Sequence, residues 1–436
     1  VLARVGELGE PRLVVHVSPV DVRPAPAELA AALRLVWAAG YASEPAVLVH
    51  DLARLRARSA AVRAAFAGPA AVHTFAIKAN PLVGILRVVV EAGAGLEAAS
   101  IEEVHLALRA GCPPSRIVFD SPVKTEDELA FALRLGLRIN ADNFSEIERI
   151  AGLRPVLGSA SRIGLRINPE LATGTPALTS VGHRGSRFGV PLSQRAEIRE
   201  AFARHEFLTG LHVHIGSQSA TLPELVEGVA RVWELRRELG RERSAPIEMF
   251  DIGGGLPAQY RDDEPRLTHA AYADALRAAV PELFAGEVEL ITEFGRSLLA
   301  DCGFVASRVE VIKPGPVAVL HVGADLFVRR VYRPAEWHHD FLALNRDGSI
   351  KIEPPVTTTL AGPLCFGGDV LARDLPLPPL AAGDYVLIRD TGAYTLSMWS
   401  RYCSRAIPVA LGVDGDSITV LRPRDRVEDI ITFWGG

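Results

Sequence analysis

The chain is predicted to be an α/β protein, a (β/α)8 barrel followed by a mostly antiparallel C-terminal β domain, and three observations predict it. Eight short β-prone runs alternate with amphipathic helical stretches between residues 46 and 300. Near residue 301 that rhythm gives way to strand-like runs joined by Gly, Pro and Asp turns. Polar, charged or glycine residues close the eight early runs, which is where a parallel barrel presents its chemistry.

The elements follow in order. Residues 1–45 hold a strand-like piece, "RLVVHVSPV", and a helical one, "PAELAAALRLVWAAG", expected to pack on the β domain. The barrel strands are then "VHTFAIKA", "GLEAAS", "RIVFDS", "LRINADN", "RIGLRINP", "GLHVHIGS", "EMFDIGGG" and "ELITEFGR", separated by helices such as "SIEEVHLALRAG" and "KTEDELAFALRLG". Strands alternating with helices make βα units and a parallel sheet. Eight of them over 46–300 match the roughly 250 residues of a TIM barrel. In 301–436, "GFVASRVEVIKPGPVAVLHV", "GDYVLIRDTGAY" and "DSITVLRPRD" read as strands of a separate domain, and the proline-rich "ARDLPLPPLAAGD" as a surface connector.

A chain of 436 residues exceeds one ordinary core, so more than one domain is expected. The net charge of -5, with arginines scattered along the chain, argues against a nucleic-acid partner. The four cysteines lie far apart with no CxxC spacing and read as reduced thiols, with no metal site among them. The opening "VLARVGELGEPRLVVHV" carries charges where a signal peptide needs an apolar run, and no run of about 18 apolar residues occurs. A cytoplasmic protein without a membrane partner is the expectation.

The strand ends, in order, carry Lys78, Glu97, Ser121, Asp142, Arg166, His214 with Ser217, Gly253-Gly254-Gly255, and Glu293 with Arg296. A lysine inside "HTFAIKANP" is costly to desolvate when charged. It is tolerated when neutral or covalently used, or when it snorkels to solvent. Strand-end Asp and Ser can merely cap the next helix. "IGGGLP" can bring bare N–H groups against an anion, and Arg296 adds a charged fork. These loops, after strands seven and eight, are where barrels often hold a phosphate. A phosphate, a lysine and the carboxylate of Glu293 together point to pyridoxal phosphate, which needs a lysine for its Schiff base and an acid at its ring nitrogen.

The motifs "FAIKAN", "RIGLRINP", "SRFGV", "HVHIGSQ", "DIGGGLP", "EFGRSL", "AGPLCFGGDVL" and "DTGAYTLSMWSRY" run in order from about residue 75 to 402. In them the chain resembles the fold-type III pyridoxal-phosphate decarboxylases, the family of diaminopimelate and ornithine decarboxylases, whose fold is alanine racemase-like. The resemblance implies that Lys78 forms the Schiff base and that His214 stacks on the cofactor ring. It implies a phosphate cup of Ser217, Gly253, Gly254, Gly255, Arg296 and Tyr394. Glu293 would pair with the ring nitrogen, Arg166 would lie near the phenolic oxygen, and Glu97 would be the acid beside the Schiff base. Tyr402 would line the substrate side. The implied assembly is a homodimer with shared sites, in which Cys365 comes from the partner and protonates Cα. Arg187 stands where the family has lysine, and Asp369 is its expected mate across the interface.

Three positions depart from the family: Phe294 replaces a usual proline, Cys403 a common asparagine, and Phe366 the acid that reads a distal ammonium. "LFVRRVYRPAEWHH" supplies Arg329, Arg330, Arg333, His338 and His339, and the "RP" at Arg333 resembles the diaminopimelate branch, where an arginine holds a distal carboxylate. Arg333, Phe366, Tyr402 and His338 are therefore expected at the substrate, an amino acid with an anionic or polar far end such as diaminopimelate or citryl-diaminopropionate. The alternatives are decarboxylation of lysine, ornithine or arginine, and racemisation, for which "GPLC" lacks the expected tyrosine. A metal-dependent hydrolase using His212 and His214 lacks further His and Asp ligands on later strand ends. A catalytically dead, partner-binding relative would have lost Lys78 or Cys365.

Overall fold

The computed structural model describes residues 21–68, 70–171 and 181–436. The strand expected in "RLVVHVSPV" lies outside the described residues. The helix Pro26–Val36 turns Leu29, Leu33 and Val36 inward and packs them against Val47, Val49, Leu387 and Leu411. Strand β1 (Ala46–Asp51) follows.

The barrel strands are β2 (Ala71–Ala76), β3 (Gly95–Ala98), β4 (Ile117–Phe119), β5 (Arg138–Ala141) and β6 (Ile163–Asn168). After a two-residue strand β7 (Val190–Pro191) come β8 (Leu208–His212), β9 (Met249–Asp251) and β10 (Glu289–Phe294). Among the described residues eight strands close a parallel ring, in the order β5-β4-β3-β2-β10-β9-β8-β6, sealed by β5 against β6. Each expected barrel run overlaps one of these strands. Between them, helices start on side-chain caps: Ser100 accepts from Glu103 N–H, and Thr125 and Glu128 form a reciprocal capping box, each satisfying N–H groups that a helix start leaves unpaired. Inside the ring, Val118, Met249 and Ile291 pack together. Gly210 has no side chain because Met249 fills that space.

The second sheet is built from β11 (Gly303–Lys313), β12 (Val317–Leu320), β13 (Phe341–Leu344), β14 (Val356–Ala361), β15 (Val370–Leu377), β16 (Tyr385–Ile388), β17 (Val409–Asp414) and β18 (Ser417–Arg422). Its order is β15-β14-β12-β11-β1-β17-β18, with β16 paired to β11 and β13 to β16. Most pairs are antiparallel; β1 with β17 and β12 with β14 are parallel.

Two features differ from the sequence reading. β1 falls in the range expected for the barrel, yet it is a central strand of the second sheet. Its run "AVLVHD" is buried over its first five residues, with Val47 and Val49 in one apolar cluster and Ala46 and Leu48 in the other, as a strand covered on both faces requires. The first half of the proline-rich connector, through Leu377, is strand β15, where Pro376 opposes Thr357. β15 is an edge strand, and an edge tolerates a residue without an N–H. Among the described residues no helix is long and apolar enough to cross a membrane.

Candidate active site at the barrel mouth

Strand β2 ends at Ala76, and a single turn, Ile77–Ala79, carries Lys78 to the mouth while burying Ile77 and Ala79. Lys78 Nζ donates to both carboxylate oxygens of Glu97, at 2.7 and 2.8 Å. The Glu97 side chain is wholly buried, whereas Lys78 keeps 37% of its side-chain exposure and is open to an incoming group. Desolvation disfavours the ammonium, but Glu97 and then Glu293 outweigh it and hold Lys78 above its ordinary range. Burial pushes the Glu97 carboxyl up, Lys78 pulls it back, and Glu293 and Asp120 add to the rise, leaving it at about 8.

Beneath this pair lies a set of charges that sequence reasoning found only in part. Arg166 Nη1 lies 3.2 Å from Asp120 Oδ2. Asp120 Oδ1 is 3.5 Å from His212 Nδ1, and His212 Nε2 is 3.6 Å from Glu293 Oε2. All four residues are buried. His212 is the last residue of β8, and His214 lies two residues on, beyond the strand. Burial opposes the His212 imidazolium, but Asp120, Glu293 and Asp251 raise it to about 9. Burial also opposes the Glu293 carboxylate, and His212 reverses this and lowers it below the usual range. Asp251, on β9, goes the other way: burial and then Glu293 push it well up. It accepts from Asn140 Nδ2 at 3.1 Å and from Gly253 N–H at 2.9 Å.

His214 accepts a hydrogen bond from Gly254 N–H at 3.1 Å. Burial, then Arg166 and Lys78, press its imidazole down to about 3, so it is neutral at pH 7. The glycine run leaves no room for side chains: a Cβ on Gly254 would run into the Glu293 carbonyl oxygen, and Gly253 and Gly255 have φ of 65° and 93°, which glycine adopts without strain. Arg296 donates to Ser217 Oγ at 3.3 Å and to Tyr260 OH at 3.0 Å. Its guanidinium lies 4.4 Å from the Tyr394 ring and 5.2 Å from that of Trp337. Arg329 meets the same two rings at 5.1 and 4.3 Å.

Other expected residues sit elsewhere or are already engaged. Ser121 closes its own turn onto Val123, and Asp142 accepts from Gly189 N–H at 3.0 Å. Arg333 is exposed and pairs with Glu336 at 2.8 Å, because the backbone leaves the helix Val328–Tyr332 there, at φ -139°. Arg329, inside that helix, is the arginine that reaches the rings. His338 is held by Asp340 at 2.7 Å. Cys365 is exposed. Phe366 stacks on Tyr332 at 5.8 Å and meets Tyr402 edge-on at 6.1 Å. Asp369 is buried and accepts from Ala324 and Leu364 N–H at 2.6 and 2.7 Å, so its carboxylate serves its own chain. Arg187 is exposed and lies over Phe188 at 4.4 Å. The acids thought to be missing for a metal site do gather at His212: Asp120, His212 and Glu293 bring ligand atoms within 4.8 Å of one another, without His214.

The residues present fit pyridoxal phosphate. Glu293 Oε1 is buried with no hydrogen-bond partner among the described residues, as an acid awaiting a ring N–H should be. A glycine cradle, an arginine–serine pair and a reachable lysine complete what the cofactor needs. Fold and site thus define a barrel enzyme of pyridoxal-phosphate chemistry.

The comparisons name the family. Residues 52–300 match the pyridoxal binding domain of the pyridoxal-dependent decarboxylases. Diaminopimelate decarboxylase of Zymomonas mobilis is 32% identical over 363 residues, 82% of this chain and 84% of that protein. The Pseudomonas aeruginosa enzyme of that name is 31% identical, covering 88% and 91%. The crystal structure of Helicobacter pylori diaminopimelate decarboxylase complexed with L-lysine superposes with a TM-score of 0.81 at 29% identity, over 89% of this chain and 96% of that one. The chain belongs to the fold-type III pyridoxal-dependent decarboxylases and is a carboxy-lyase with pyridoxal phosphate as cofactor.

Proposed function

We propose that the protein decarboxylates at Cα an amino acid whose far end is a carboxylate, a diaminopimelate-like substrate. The observation that carries this is the pair of guanidiniums, Arg296 and Arg329, on the same two rings. Burial and then Arg296 lower Arg329. Arg329 Nη1 is buried without a hydrogen-bond partner among the described residues. Two like charges side by side with an unanswered N–H favour anions. The cofactor phosphate accounts for one, with Ser217, Arg296, Tyr394 and Gly253 to Gly255 around it. A substrate carboxylate on Arg329 accounts for the other. That the relatives above are diaminopimelate decarboxylases supports this reading. Phe366, ringed by Tyr332 and Tyr402, offers no carboxylate to a distal ammonium, so recognition of a far end that carries both groups, as in diaminopimelate, would rest on its carboxylate.

Bound pyridoxal phosphate supplies an electron sink conjugated to the substrate Cα when CO2 leaves. Lys78 would anchor it and, once displaced, carry a proton on Nζ beside Glu97. Glu293 would hold the ring N–H, and neutral His214 would offer its ring face without adding positive charge. Cys365 would return a proton to Cα from the other copy of a cytoplasmic homodimer, since its thiol faces solvent in the single chain.

The test is CO2 release from meso-diaminopimelate, lysine, ornithine, arginine, glutamate and citryl-diaminopropionate. Turnover of substrates with a carboxylate far end is expected. A clear preference for lysine, ornithine or arginine would sink the assignment of Arg329 while leaving the decarboxylase class intact. Phe366→Glu is expected to bring in ammonium-tailed substrates that the unaltered enzyme rejects.

A further inference from the structure

Arg166, Asp120, His212 and Glu293 form a line of alternating charge across the buried floor of the barrel mouth, drawn from β6, the end of β4, β8 and β10. Asp120 divides its two oxygens between Arg166 and His212, and His212 divides its two nitrogens between Asp120 and Glu293. At 3.5 and 3.6 Å these are ion-pair contacts, and neither ring nitrogen has a hydrogen-bond partner among the described residues; a neutral imidazole has one N–H to turn toward its acids, whereas an imidazolium presents an N–H and positive charge to both. Buried carboxylates without a cation are costly, and no other cation stands between Asp120 and Glu293 among the ion pairs of the described residues. Asp251 also acts on His212, from β9, while Lys78 acts on both Glu293 and Asp120, and Lys124 on Asp120.

We propose that His212 is a positioning residue, held as an imidazolium by Asp120, that fixes Glu293 as the carboxylate partner of the cofactor's ring nitrogen. Asp120 then ties the two ends of the ring, Arg166 at one and Glu293 at the other, into a single electrostatic unit. The inference rests on the proposed role of Glu293 and is independent of which amino acid is decarboxylated.

The experiment compares binding of pyridoxal phosphate with its 1-deaza analogue, whose ring nitrogen is replaced by carbon, in apoenzymes of the wild type, Glu293→Gln, His212→Gln and Asp120→Asn. The wild type is expected to prefer the natural cofactor by roughly tenfold to a hundredfold, the value of one hydrogen bond to a charged group. His212→Gln and Glu293→Gln should each erase most of that preference, and a variant that combines His212→Gln with Glu293→Gln should lose no more than either alone. In 15N-histidine spectra of the wild-type apoenzyme, His212 should stay doubly protonated at pH 7 and lose its proton at lower pH in Asp120→Asn. Equal weakening of both ligands by His212→Gln would reduce His212 to a packing role and overturn the proposal. So would a neutral His212 at pH 7, or a stoichiometric metal ion carried on Asp120, His212 and Glu293. A preference that survives Glu293→Gln would instead overturn the role of Glu293 and the inference with it.

Discussion

Asp120, His212 and Glu293 are buried and answer one another inside the barrel, and buried Glu97 answers Lys78, whereas Cys365 and Tyr402, two of the residues expected to meet the substrate, face solvent. Phe366 touches other aromatic rings, one of them the exposed Tyr332. Charge taken out of water has to be paired where it lies, so the electron-withdrawing half of the site is completed by one chain. The face that carries Cys365, which would return the proton, is left open, as it would be if a second copy covered it.

That contrast can be broken first at its largest effect. Lys78→Ala should cut CO2 release by about a thousandfold or more. Mixing it with inactive Cys365→Ala chains should restore about a quarter of wild-type sites if lysine and cysteine come from different copies. A mixture that stays inactive would place both groups in one chain. Next, Glu293→Gln should lower kcat roughly a hundredfold with little change in KM, read in steady-state decarboxylation; an effect on KM alone would remove Glu293 from the ring nitrogen. Arg329→Gln should raise KM for a carboxylate-tailed substrate by roughly tenfold to a hundredfold, the value of a hydrogen bond to a charged group, while leaving cofactor affinity near wild type. Loss of cofactor affinity instead would move Arg329 to the phosphate.

The smallest effect is an internal control on buried imidazoles. The ring nitrogens of His212 and of His50, on β1, alike lack hydrogen-bond partners among the described residues, but His212 lies among acids, whereas burial alone presses His50 down to about 4. The unfolded imidazole takes up a proton below pH of about 6.5 and the folded one resists, so the unfolded state binds more protons between these values. Stability from His50 is therefore full above about pH 6.5 and falls on acidification, by roughly 2 kcal/mol at pH 5. Urea titrations of wild type and His50→Gln across that range should differ in slope. Parallel curves would show that His50 does not titrate on unfolding.

The barrel was legible because its strands are apolar runs separated by capped amphipathic helices, a pattern that survives without tertiary information. The strand-end rule also directed attention to Lys78 and Glu97, which the fold brings within 2.7 Å. Asp120 was missed because it precedes Ser121, and an Asp-Ser pair after a strand reads as a turn. Its proximity to His212 depends on how β4 and β8 face one another across the ring, which local sequence does not encode. Arg333 was preferred to Arg329 on its "RP" pair for a related reason: the two are four residues apart, and only the end of the helix at Tyr332 decides which reaches the rings. β1 was misplaced because an apolar run preceding a helix looks alike at the start of a barrel and at the centre of another sheet.

The position of β1 has a consequence for how the molecule is made. Val47 pairs with both Ala306 and Val409, so the second sheet is stitched from segments on either side of the barrel in sequence, and the barrel is an insertion within it. During synthesis β1 emerges early and must wait, apolar and unpaired, until β11 and β17 have left the ribosome. Pairings of such long sequence separation form slowly and expose strand edges meanwhile. A circular permutant that places β1 next to β17 would remove the wait without altering any residue of the site.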